Sequence, residues 1–451
     1  MMNNAIACIG AGYIGGPTMA VIAQKHPDRR IVVADISQAR IDAWNSDNLP
    51  VYEPGLKEIV LERRGKNLFF TTDIAGAIRD CDTIFVCVNT PTKTEGEGAG
   101  YATDLRYWEA AARTIAQEAN GDKVIIEKST LPVRTADALM AILYTHPEHT
   151  FTVLSNPEFL AEGTAIQDLL HPDRVLIGSL DTPSSQAALQ QLVDLYAAWV
   201  PRERILTTNL WSSELSKLAA NAMLSQRVSS INALSALCEA TGANVHEVAN
   251  VLGMDHRIGP HFLKAGPGFG GSCFRKDVAN LIYLCRYYQL PECATYWEQI
   301  LKMNEAQQTR IVQRLKAALG GTLSGKAITL LGFAFKANTG DTRETPALNV
   351  TRQLLAEGAK LTITDPKALP NARKDLEGAP VTFVEDPSAA TKGADAILVL
   401  TEWAEYATLD WSAIHTGMHQ PALVFDTRNI LNHAQLRDLG YTVLAVGKVL
   451  D

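Results

Sequence analysis

Apolar segments of strand length alternate with helix-like segments from the start of the chain to about residue 180. The segments AIACIG, IVVADIS, DTIFVCV and KVIIEKS have strand-like composition, and FTVLSNPEFL and RVLIGSL extend the pattern. The alternation returns at Lys326 with KAITLLGFAF, KLTITDP, ADAILVLTEW and PALVFDTRN. Apolar strands separated by helices are typical of parallel sheets covered on both faces. The pattern therefore predicts two such sheets, one towards each end of the chain.

The segment between the two predicted sheets has a helical pattern. From Trp211 to Thr241, apolar residues recur at the spacing of one helix face. Ser212 and Ser213 are the expected N-caps, and Gly242 is the expected stop. These signals predict one long helix of roughly 28 residues, with further helices to about residue 320.

The two strand-rich regions repeat each other. IACIGAG matches ITLLGFA, IVVADIS matches LTITDPK, and CDTIFVCVNTP matches ADAILVLTEWA. In both regions an Asp ends the second strand, Asp35 and Asp365. The repeat predicts an α/β chain with two Rossmann-like, doubly wound parallel-sheet domains joined by a long central helix and a helical domain. The predicted domains are 1–209, 210–323 and 324–451.

Composition narrows the class of protein. The chain has 451 residues, of which 47% are hydrophobic and 20% charged, enough for about three domains with buried cores. Its net charge of −8 argues against a general nucleic-acid or membrane-surface binder. The seven cysteines are scattered without zinc-ligand spacing, which predicts free thiols in a reducing compartment and no metal site. Since we find neither a signal-peptide pattern nor an apolar run of the ~20 residues that a membrane span needs, we expect a cytoplasmic protein.

A glycine-rich turn follows the first predicted strand. Gly10, Gly12 and Gly15 form a GxGxxG pattern, and Asp35 ends the next strand. The first glycine permits a tight turn, the second lets a pyrophosphate approach the backbone, and the third lets helix and strand pack closely. Asp35 can accept hydrogen bonds from a ribose diol and would repel a 2′-phosphate, which favours NAD over NADP. The alternative is a glycine-rich turn without a ligand.

Other polar residues are candidates because of their position. Thr90 in CVNTPT and Ser129 in EKST end strands of the first sheet, where ligands of parallel sheets gather. They are candidates for the nicotinamide side, and ordinary turn chemistry is the alternative.

Two further pairs of polar residues are spaced four apart. Lys217 and Asn221 share a helix face, so a cation and an amide can stabilise an oxyanion together. Glu158 and Glu162 offer carboxylates for acid or base chemistry. The alternatives are a solvated helix face for the first pair and exposed acids on a short helix for the second.

The segment GPGFGGSCFRKD, Gly266 to Asp277, combines four glycines with a cysteine. A helix beginning at Ser272 or Cys273 would stabilise a thiolate at its N-terminus, with Asp277 one turn later on the same face. This is a suitable arrangement for a nucleophilic cysteine with a nearby base, and a small buried residue at a helix start is the alternative. A nicotinamide cofactor and a thiolate together suggest oxidation of an aldehyde through a thioester.

Four long segments resemble one family. GFGGSCFRKDV, SELSKLAANA, SNPEFLAEGTA and GFAFKANTGDTRETP are similar to the UDP-glucose/GDP-mannose dehydrogenases, the nucleotide-sugar dehydrogenases that act at C6. The resemblance covers essentially the whole chain in the right order. The segment WSSELSKLAANAMLSQRVSSINALSALCEATG is closer to the UDP-glucose form than to the forms for UDP-N-acetylmannosamine or GDP-mannose.

The resemblance implies a four-electron oxidation of UDP-glucose to UDP-glucuronate with NAD. The C6 alcohol becomes an aldehyde, Cys273 captures it as a thiohemiacetal, a second oxidation gives a thioester, and water releases the acid. The alternatives are the same chemistry on another nucleotide sugar (a UDP-N-acetylhexosamine, UDP-galactose or GDP-mannose), a two-electron dehydrogenase that would not need the cysteine, and a catalytically silent NAD-binding sensor or scaffold.

The resemblance also implies roles for individual residues. Lys217 and Asn221 would steady an oxyanion or the attacking water, Asp277 would be the base, and Glu162 would take part in thioester hydrolysis, with Thr130 also in the catalytic set. The implied cofactor residues are Gly10, Gly12, Tyr13, Ile14, Gly15, Asp35, Arg40, Val88, Asn89, Thr90, Ser129, Thr130, Glu162 and Arg343. The implied substrate residues are Glu158, Phe159, Leu160, Lys217, Asn221, Arg257, Phe262, Lys264, Phe269, Gly270, Phe335, Lys336 and Arg428. Arg257 would reach the substrate of a neighbouring subunit, which implies a homo-oligomer.

Two positions depart from the family's usual pattern. Thr427 stands before Arg428 where the family usually carries Gly, and Thr disfavours positive φ, so we expect this loop to differ slightly. Arg275 stands where a neutral amide is usual. Neither position touches the proposed chemistry.

Overall fold

The computed structural model describes residues 5–450, which divide into two compact units. The N-terminal unit ends at Ala220 and the C-terminal unit begins at Asn221. Among residues 5–450, no helix combines the length and apolar character needed to cross a membrane.

The N-terminal unit is an α/β layer structure. Its strands are β1 (Ala5–Ile9), β2 (Arg30–Ala34), β3 (Leu68–Thr71), β4 (Thr83–Val86), β5 (Lys123–Glu127), β6 (Phe151–Ser155), β7 (Val175–Ser179) and β8 (Ile205–Asn209). Its helices are α1 (Gly15–Lys25), α2 (Gln38–Trp44), α3 (Leu56–Arg63), α4 (Ile74–Asp80), α5 (Arg106–Glu118), α6 (Thr135–Leu143), α7 (Ala165–Leu170) and α8 (Pro183–Ala197).

The eight strands form one sheet in the order β3-β2-β1-β4-β5-β6-β7-β8. Apolar cores cover both faces, with Trp44 buried in one and Trp108 in the other. The strands from β3 to β6 are parallel, whereas β7 pairs with β6 in the antiparallel sense. The sequence pattern predicted one continuing parallel sheet here. It was wrong on direction because β7 is fully buried, and a wholly apolar strand reads the same in either direction.

The long helix α9 (Leu210–Thr241) has 32 residues and crosses the boundary between the units. Its N-terminus differs from the predicted one. Asn209 accepts the Ser212 N–H at 2.8 Å, and buried Ser213 contacts the Ser155 hydroxyl at 2.9 Å. The two serines are therefore not the caps. The C-terminal end of α9 agrees with the prediction, since Gly242 follows the last helical residue and has φ +77°.

The C-terminal unit contains helices and a second sheet. Its further helices are α10 (Val245–Met254), α11 (Phe274–Tyr287), α12 (Pro291–Ala318), α13 (Pro346–Ala356), α14 (Leu369–Asp375), α15 (Pro387–Ala390), α16 (Trp411–Gly417) and α17 (His433–Asp438). Its strands are β9 (Ala327–Leu331), β10 (Lys360–Thr364), β11 (Val381–Phe383), β12 (Ala396–Val399), β13 (Leu423–Asp426) and β14 (Thr442–Ala445).

The second sheet repeats the first. Its order, β11-β10-β9-β12-β13-β14, is the order of the six parallel strands of the first sheet. The Asp that ends the second strand binds the turn after the first strand in both sheets. Asp35 accepts the Ala11 N–H at 2.8 Å, and Asp365 accepts the Phe333 N–H at 2.7 Å. The predicted fold class, with two Rossmann-like sheets and a long central helix, is confirmed.

Candidate active site

The glycine turn between β1 and α1 lies where the strand order reverses, which is the usual ligand position in such sheets. Gly10 has φ +106°, and a Cβ there would lie 2.4 Å from the Cys87 carbonyl oxygen. A Cβ on Gly15 would lie 2.0 Å from the Gly10 carbonyl oxygen. A Cβ on Gly12 would meet nothing within 4 Å, so this backbone faces open space. The turn therefore fits a dinucleotide, with Gly12 open to the pyrophosphate.

Asp35 is buried at the end of β2 and already binds protein groups. Its Oδ2 accepts hydrogen bonds from the Ala11 N–H and the Arg40 guanidinium, each at 2.8 Å, and its Oδ1 accepts the Ser37 N–H at 2.9 Å. Each carboxylate oxygen can accept two hydrogen bonds. Because Oδ1 accepts one from the described residues, it retains capacity for a ribose hydroxyl.

We expect Asp35→Ala to weaken NAD binding by about 10- to 100-fold, the range for losing hydrogen bonds to a charged group. The affinity for UDP-glucose should change much less. Calorimetric titration of each ligand measures both effects. Asp47→Asn is the control, since it removes a charge from the same unit at an exposed ion pair. Equal weakening of the two ligands by Asp35→Ala would contradict the ribose assignment.

The ends of β4 and β5 meet through Ser129. Its hydroxyl donates a hydrogen bond to the Val88 carbonyl oxygen at 2.7 Å. Thr90 and Thr130 are half-buried nearby in sequence, and Asn89 is exposed. The structure thus brings together two of the predicted cofactor residues, Val88 and Ser129.

Two buried carboxyl groups adjoin this strand end and were missed by the sequence analysis. Burial and the neighbouring Glu214 raise the pKa of Glu127 well above its usual value. Burial also raises the pKa of Glu214 to about 7. Glu214 accepts the Arg134 N–H at 2.7 Å and the Ala136 N–H at 3.0 Å, so it fixes the start of α6. No local sequence pattern indicates that Glu127 and Glu214, which are far apart in the sequence, lie next to each other.

Glu53 was missed as well, and its hydrogen bonds connect the glycine turn to the loop after β6. The Tyr13 hydroxyl donates a hydrogen bond to its Oε1, and burial with this contact raises the pKa of Tyr13. The same carboxylate accepts the Gly163 N–H at 2.6 Å and the Ala165 N–H at 3.0 Å. Half-buried Glu162 lies in this loop, so its position depends on Glu53.

Glu158 and Lys217 form a buried ion pair with 3.1 Å between the Glu158 Oε1 and the Lys217 Nζ. Glu158 Oε2 also accepts the Leu160 N–H at 2.6 Å, and the Arg174 guanidinium lies 3.7 Å from the centroid of the Phe159 ring. The alternative interpretation, exposed acids on a short helix, is wrong for Glu158. The residue lies in a loop and its side chain is only 6% exposed.

Lys128 is a buried cation of the same unit. Its ammonium donates hydrogen bonds to the Asn156 Oδ1 at 3.0 Å and the Tyr196 hydroxyl at 3.3 Å. Burial lowers the pKa of Lys128 to about 8. With Glu158, Phe159 and Arg174 it lines a cavity of about 90 Å³ beneath the loop after β6.

We expect Lys217→Met to lower the free energy of unfolding by about 3–5 kcal/mol, because it leaves the Glu158 carboxylate buried without its ammonium partner. The double variant Lys217→Met with Glu158→Gln should recover most of this stability, since a neutral amide can still accept the Leu160 N–H. Urea unfolding measures the free energy of unfolding of the single and the double variant. Turnover should stay low in both variants. Recovery of turnover in the double variant would contradict a catalytic role for Lys217.

In the C-terminal unit, Cys273 occupies the N-cap position of α11 and is half-buried. Its carbonyl oxygen accepts the Asp277 N–H at 2.9 Å. The Asp277 carboxylate is fully buried and accepts hydrogen bonds from the Asn221 amide at 2.6 Å and the Lys276 ammonium at 2.5 Å. The predicted catalytic residues Asn221 and Asp277 are therefore in direct contact one helical turn from the cysteine.

A second cluster in this unit joins Arg428, Phe335 and the glycine loop. The Arg428 guanidinium donates to the Phe335 carbonyl oxygen at 3.0 Å and lies 3.0 Å from the Glu402 carboxylate. A Cβ on Gly271 would lie 3.0 Å from the Phe335 ring, and one on Gly270 would lie 2.9 Å from the Phe335 Cβ. Phe269 is buried beside these glycines. The structure thus brings together four of the predicted substrate residues: Phe269, Gly270, Phe335 and Arg428.

The segment from Arg257 to Lys264 is mostly exposed. Arg257 pairs with Asp255 at 2.5 Å, and Phe262 has φ +61°. Arg227, which the sequence analysis missed, donates hydrogen bonds to three carbonyl oxygens of the segment, those of Ile258, Gly259 and His261, at 2.8–2.9 Å. Its side chain therefore fixes the course of this segment.

Two more predicted residues lie in the loop after β9. Lys336 is half-buried and Arg343 is exposed. The Arg343 side chain pairs with Asp341 at 2.5 Å, and its carbonyl oxygen accepts the Gly271 N–H at 2.9 Å.

The two departures from the family pattern are accommodated. Thr427 does not have positive φ; the left-handed residue is Asn429, at +55°. The Thr427 hydroxyl donates to the Val399 carbonyl oxygen at 2.5 Å, so this Thr is not strained where it stands. The Arg275 guanidinium lies 2.7 Å from the Glu305 carboxylate.

Three family models match the chain in order. All three describe domains of the UDP-glucose/GDP-mannose dehydrogenase family. The NAD binding domain matches residues 4–200, the central domain matches residues 211–306, and the UDP binding domain matches residues 329–433. The chain belongs to the UDP-glucose/GDP-mannose dehydrogenase family. It is accordingly an oxidoreductase that uses NAD, and the predicted family and cofactor are confirmed.

Relatives within the family match almost the full chain. UDP-glucose 6-dehydrogenase 5 of Oryza sativa subsp. japonica is 55% identical over 468 residues, covering 99% of this chain and 97% of the relative. UDP-glucose 6-dehydrogenase 1 of Arabidopsis thaliana is 55% identical over 469 residues, with the same coverage. A UDP-glucose dehydrogenase structure from Pyrobaculum islandicum matches with a TM-score of 0.87 and 32% identity, covering 100% of this chain and 98% of that one.

Proposed function

We propose that Cys273 is the nucleophile in an NAD-dependent, four-electron oxidation of UDP-glucose at C6 that yields UDP-glucuronate. The activity is supported by relatives named UDP-glucose 6-dehydrogenase, at 52–55% identity over 99% of the chain. The observation that carries the role of Cys273 is its place at the N-terminus of α11, with the buried Asp277 carboxylate one turn later.

The proposed reaction forms and later breaks one carbon–sulfur bond at Cys273. When bound, NAD supplies the hydride acceptor, so two NAD and one water convert the alcohol to a carboxylate with release of two NADH and three protons. The Cys273 sulfur forms a bond to the aldehyde carbon, and the aldehyde oxygen takes a proton to give a thiohemiacetal. After the second oxidation the carbon is a thioester, and attack by water breaks the carbon–sulfur bond and returns the thiol.

The other residues hold charges and protons. Asp277 accepts the thiol proton, and its hydrogen bonds from Asn221 and Lys276 keep it oriented. Lys217 and Asn221 stabilise the oxyanion or hold the attacking water. Glu162 and Thr130 assist thioester hydrolysis and help to orient the reacting groups. Arg428, Lys336 and the glycine loop bind the UDP-sugar, while the turn with Gly12 and the Asp35 carboxylate hold NAD.

The broader organisation remains a proposal as well. We propose that the three domains span 1–209, 210–323 and 324–451. Arg257 reaches the substrate of a neighbouring subunit in a homo-oligomer, and its exposure is compatible with that role. The protein acts in the cytoplasm.

A panel of nucleotide sugars tests the substrate assignment. With excess NAD, kcat/KM measured from NADH formation should be highest for UDP-glucose. A higher value for UDP-galactose, a UDP-N-acetylhexosamine or GDP-mannose would move the assignment to that sugar. NAD binding without NADH formation on any of them would favour a silent sensor or scaffold.

A further inference from the structure

The loop before Cys273 is rich in glycine. Residues 266–271 include four glycines and no helix or strand, and Gly268 and Gly271 have φ of +119° and +83°. Glycine loses more conformational freedom on ordering than any other residue. A nucleophile at the end of such a loop keeps one position only if other groups hold the loop backbone.

Asn304 on α12 holds both backbone groups of Phe269. Its Oδ1 accepts the Phe269 N–H at 2.8 Å, and its Nδ2 donates to the Phe269 carbonyl oxygen at 3.1 Å. Asn304 is only 6% exposed, so these bonds are shielded from water. One side-chain amide thus fixes one loop residue in two directions, four residues before Cys273.

Two more buried amides hold Gly266 in the same way. Gln307, also on α12, donates to the Gly266 carbonyl oxygen at 2.7 Å. Asn232 on α9 accepts the Gly266 N–H at 2.9 Å. Arg310 in turn donates to the Gln307 Oε1 at 2.8 Å, which fixes which end of that amide faces the loop.

The glycine at 268 is required by this arrangement. A Cβ there would lie 2.5 Å from the Asn304 Oδ1, closer than real Cβ atoms approach. On the other side of the loop, the Gly271 N–H donates to the Arg343 carbonyl oxygen at 2.9 Å. The loop is therefore clamped from its first residue to within two residues of the cysteine.

We propose that Asn232, Asn304 and Gln307, which we call the amide cradle, are positioning residues for the Cys273 thiol. Of the loop they bind only the backbone, so they act through it and not on the substrate. The importance of this position for turnover rests on the proposed function, in which Cys273 is the nucleophile. Loss of the cradle should lower kcat because the bound sugar meets a misplaced thiol, and it should also raise KM because the same loop binds the UDP-sugar.

Asn304→Asp makes the cradle dependent on pH. A protonated Asp matches the original amide, since its hydroxyl donates to the Phe269 carbonyl oxygen while its other oxygen accepts the Phe269 N–H. Once ionised, it has no donor and places a charge against that carbonyl. Burial raises the pKa of such an acid. The ratio of variant to wild-type kcat should therefore be near one at low pH and fall by about 10-fold or more as pH rises through that pKa.

The matched control is Asn67→Asp in the N-terminal unit. Asn67 is also a buried amide that holds backbone, at the end of α1 and in the turn after it, donating to the carbonyl oxygens of Ala23, His26 and Arg29 at 2.9–3.1 Å. We expect Asn67→Asp to lower thermal stability with rising pH while its kcat ratio stays flat. A kcat ratio that falls equally in both variants would overturn the proposal, because it would report stability alone.

Alkylation of Cys273 by iodoacetamide gives a readout that needs no sugar. The rate is followed by mass spectrometry of the Cys273 peptide. The ratio of the variant rate to the wild-type rate should change with pH in Asn304→Asp, as the kcat ratio does, and should not change with pH in Asn67→Asp. If Asn304→Asp does not fold, Gln307→Glu applies the same test at Gly266. Alkylation ratios that stay flat with pH would overturn the cradle. A changed ratio in a chain that does not oxidise UDP-glucose would support the cradle while contradicting the proposed function.

Discussion

Cys273→Ser is expected to reduce formation of UDP-glucuronate by at least about three orders of magnitude, as loss of a covalent nucleophile does in other enzymes. A serine hydroxyl is far less acidic than a thiol, so the hemiacetal and ester that would replace the thiohemiacetal and thioester should form too slowly to sustain turnover. The substitution changes a single atom at a half-buried position, so affinities for NAD and UDP-glucose should stay near those of the wild type.

The control for this variant is Cys293→Ser. Cys293 is exposed on α12, so the same substitution there should leave turnover unchanged. Rates of acid formation are measured by separating the nucleotide sugars, and affinities by calorimetry. Undiminished acid formation by Cys273→Ser would rule out the thioester mechanism.

Asp277→Asn is expected to lower kcat by about 10²–10⁴-fold, the usual contribution of a general base. The carboxylate is fully buried and accepts hydrogen bonds from Asn221 and Lys276. An amide has nearly the same shape, but it cannot take the thiol proton, and its NH₂ group opposes one of the two donors. KM for UDP-glucose should change little, because the lost function belongs to the chemical steps.

Asp410→Asn is the charge-matched control for Asp277→Asn. Asp410 is the N-cap of α16, where Asn caps as well as Asp, so turnover and stability should hold. Steady-state kinetics and the pH dependence of kcat separate the two variants. A kcat for Asp277→Asn within about threefold of the wild type would leave Asp277 as a structural acceptor and not the base.

Much of the fold follows from local sequence signals. Strand length, apolar content and helical spacing predicted both sheets and α9, because these signals reflect burial over a few neighbouring residues. The glycines at 10 and 15 could be interpreted because a Cβ at either position would clash with backbone, and the glycine at 12 because a pyrophosphate must approach its backbone closely. The direction of β7 could not be predicted, since a fully apolar strand carries no sign of its neighbour's orientation.

The site was predicted less completely than the fold. Cys273 and Asp277 were found because the helix N-terminus and one-turn spacing are local features. The contacts of Glu53 with Tyr13 and of Asn304 with Phe269 join residues 40 and 35 positions apart. An isolated polar residue carries no mark of which distant backbone group it will satisfy, so such contacts emerge only when the chain is folded.

The most direct test of the central claim is the number of NADH molecules formed for each UDP-glucose consumed by the purified chain with excess NAD. The double oxidation through Cys273 predicts two. A value of one would contradict it, because the reaction would then end at the aldehyde or be a different two-electron oxidation, with no role for a thioester.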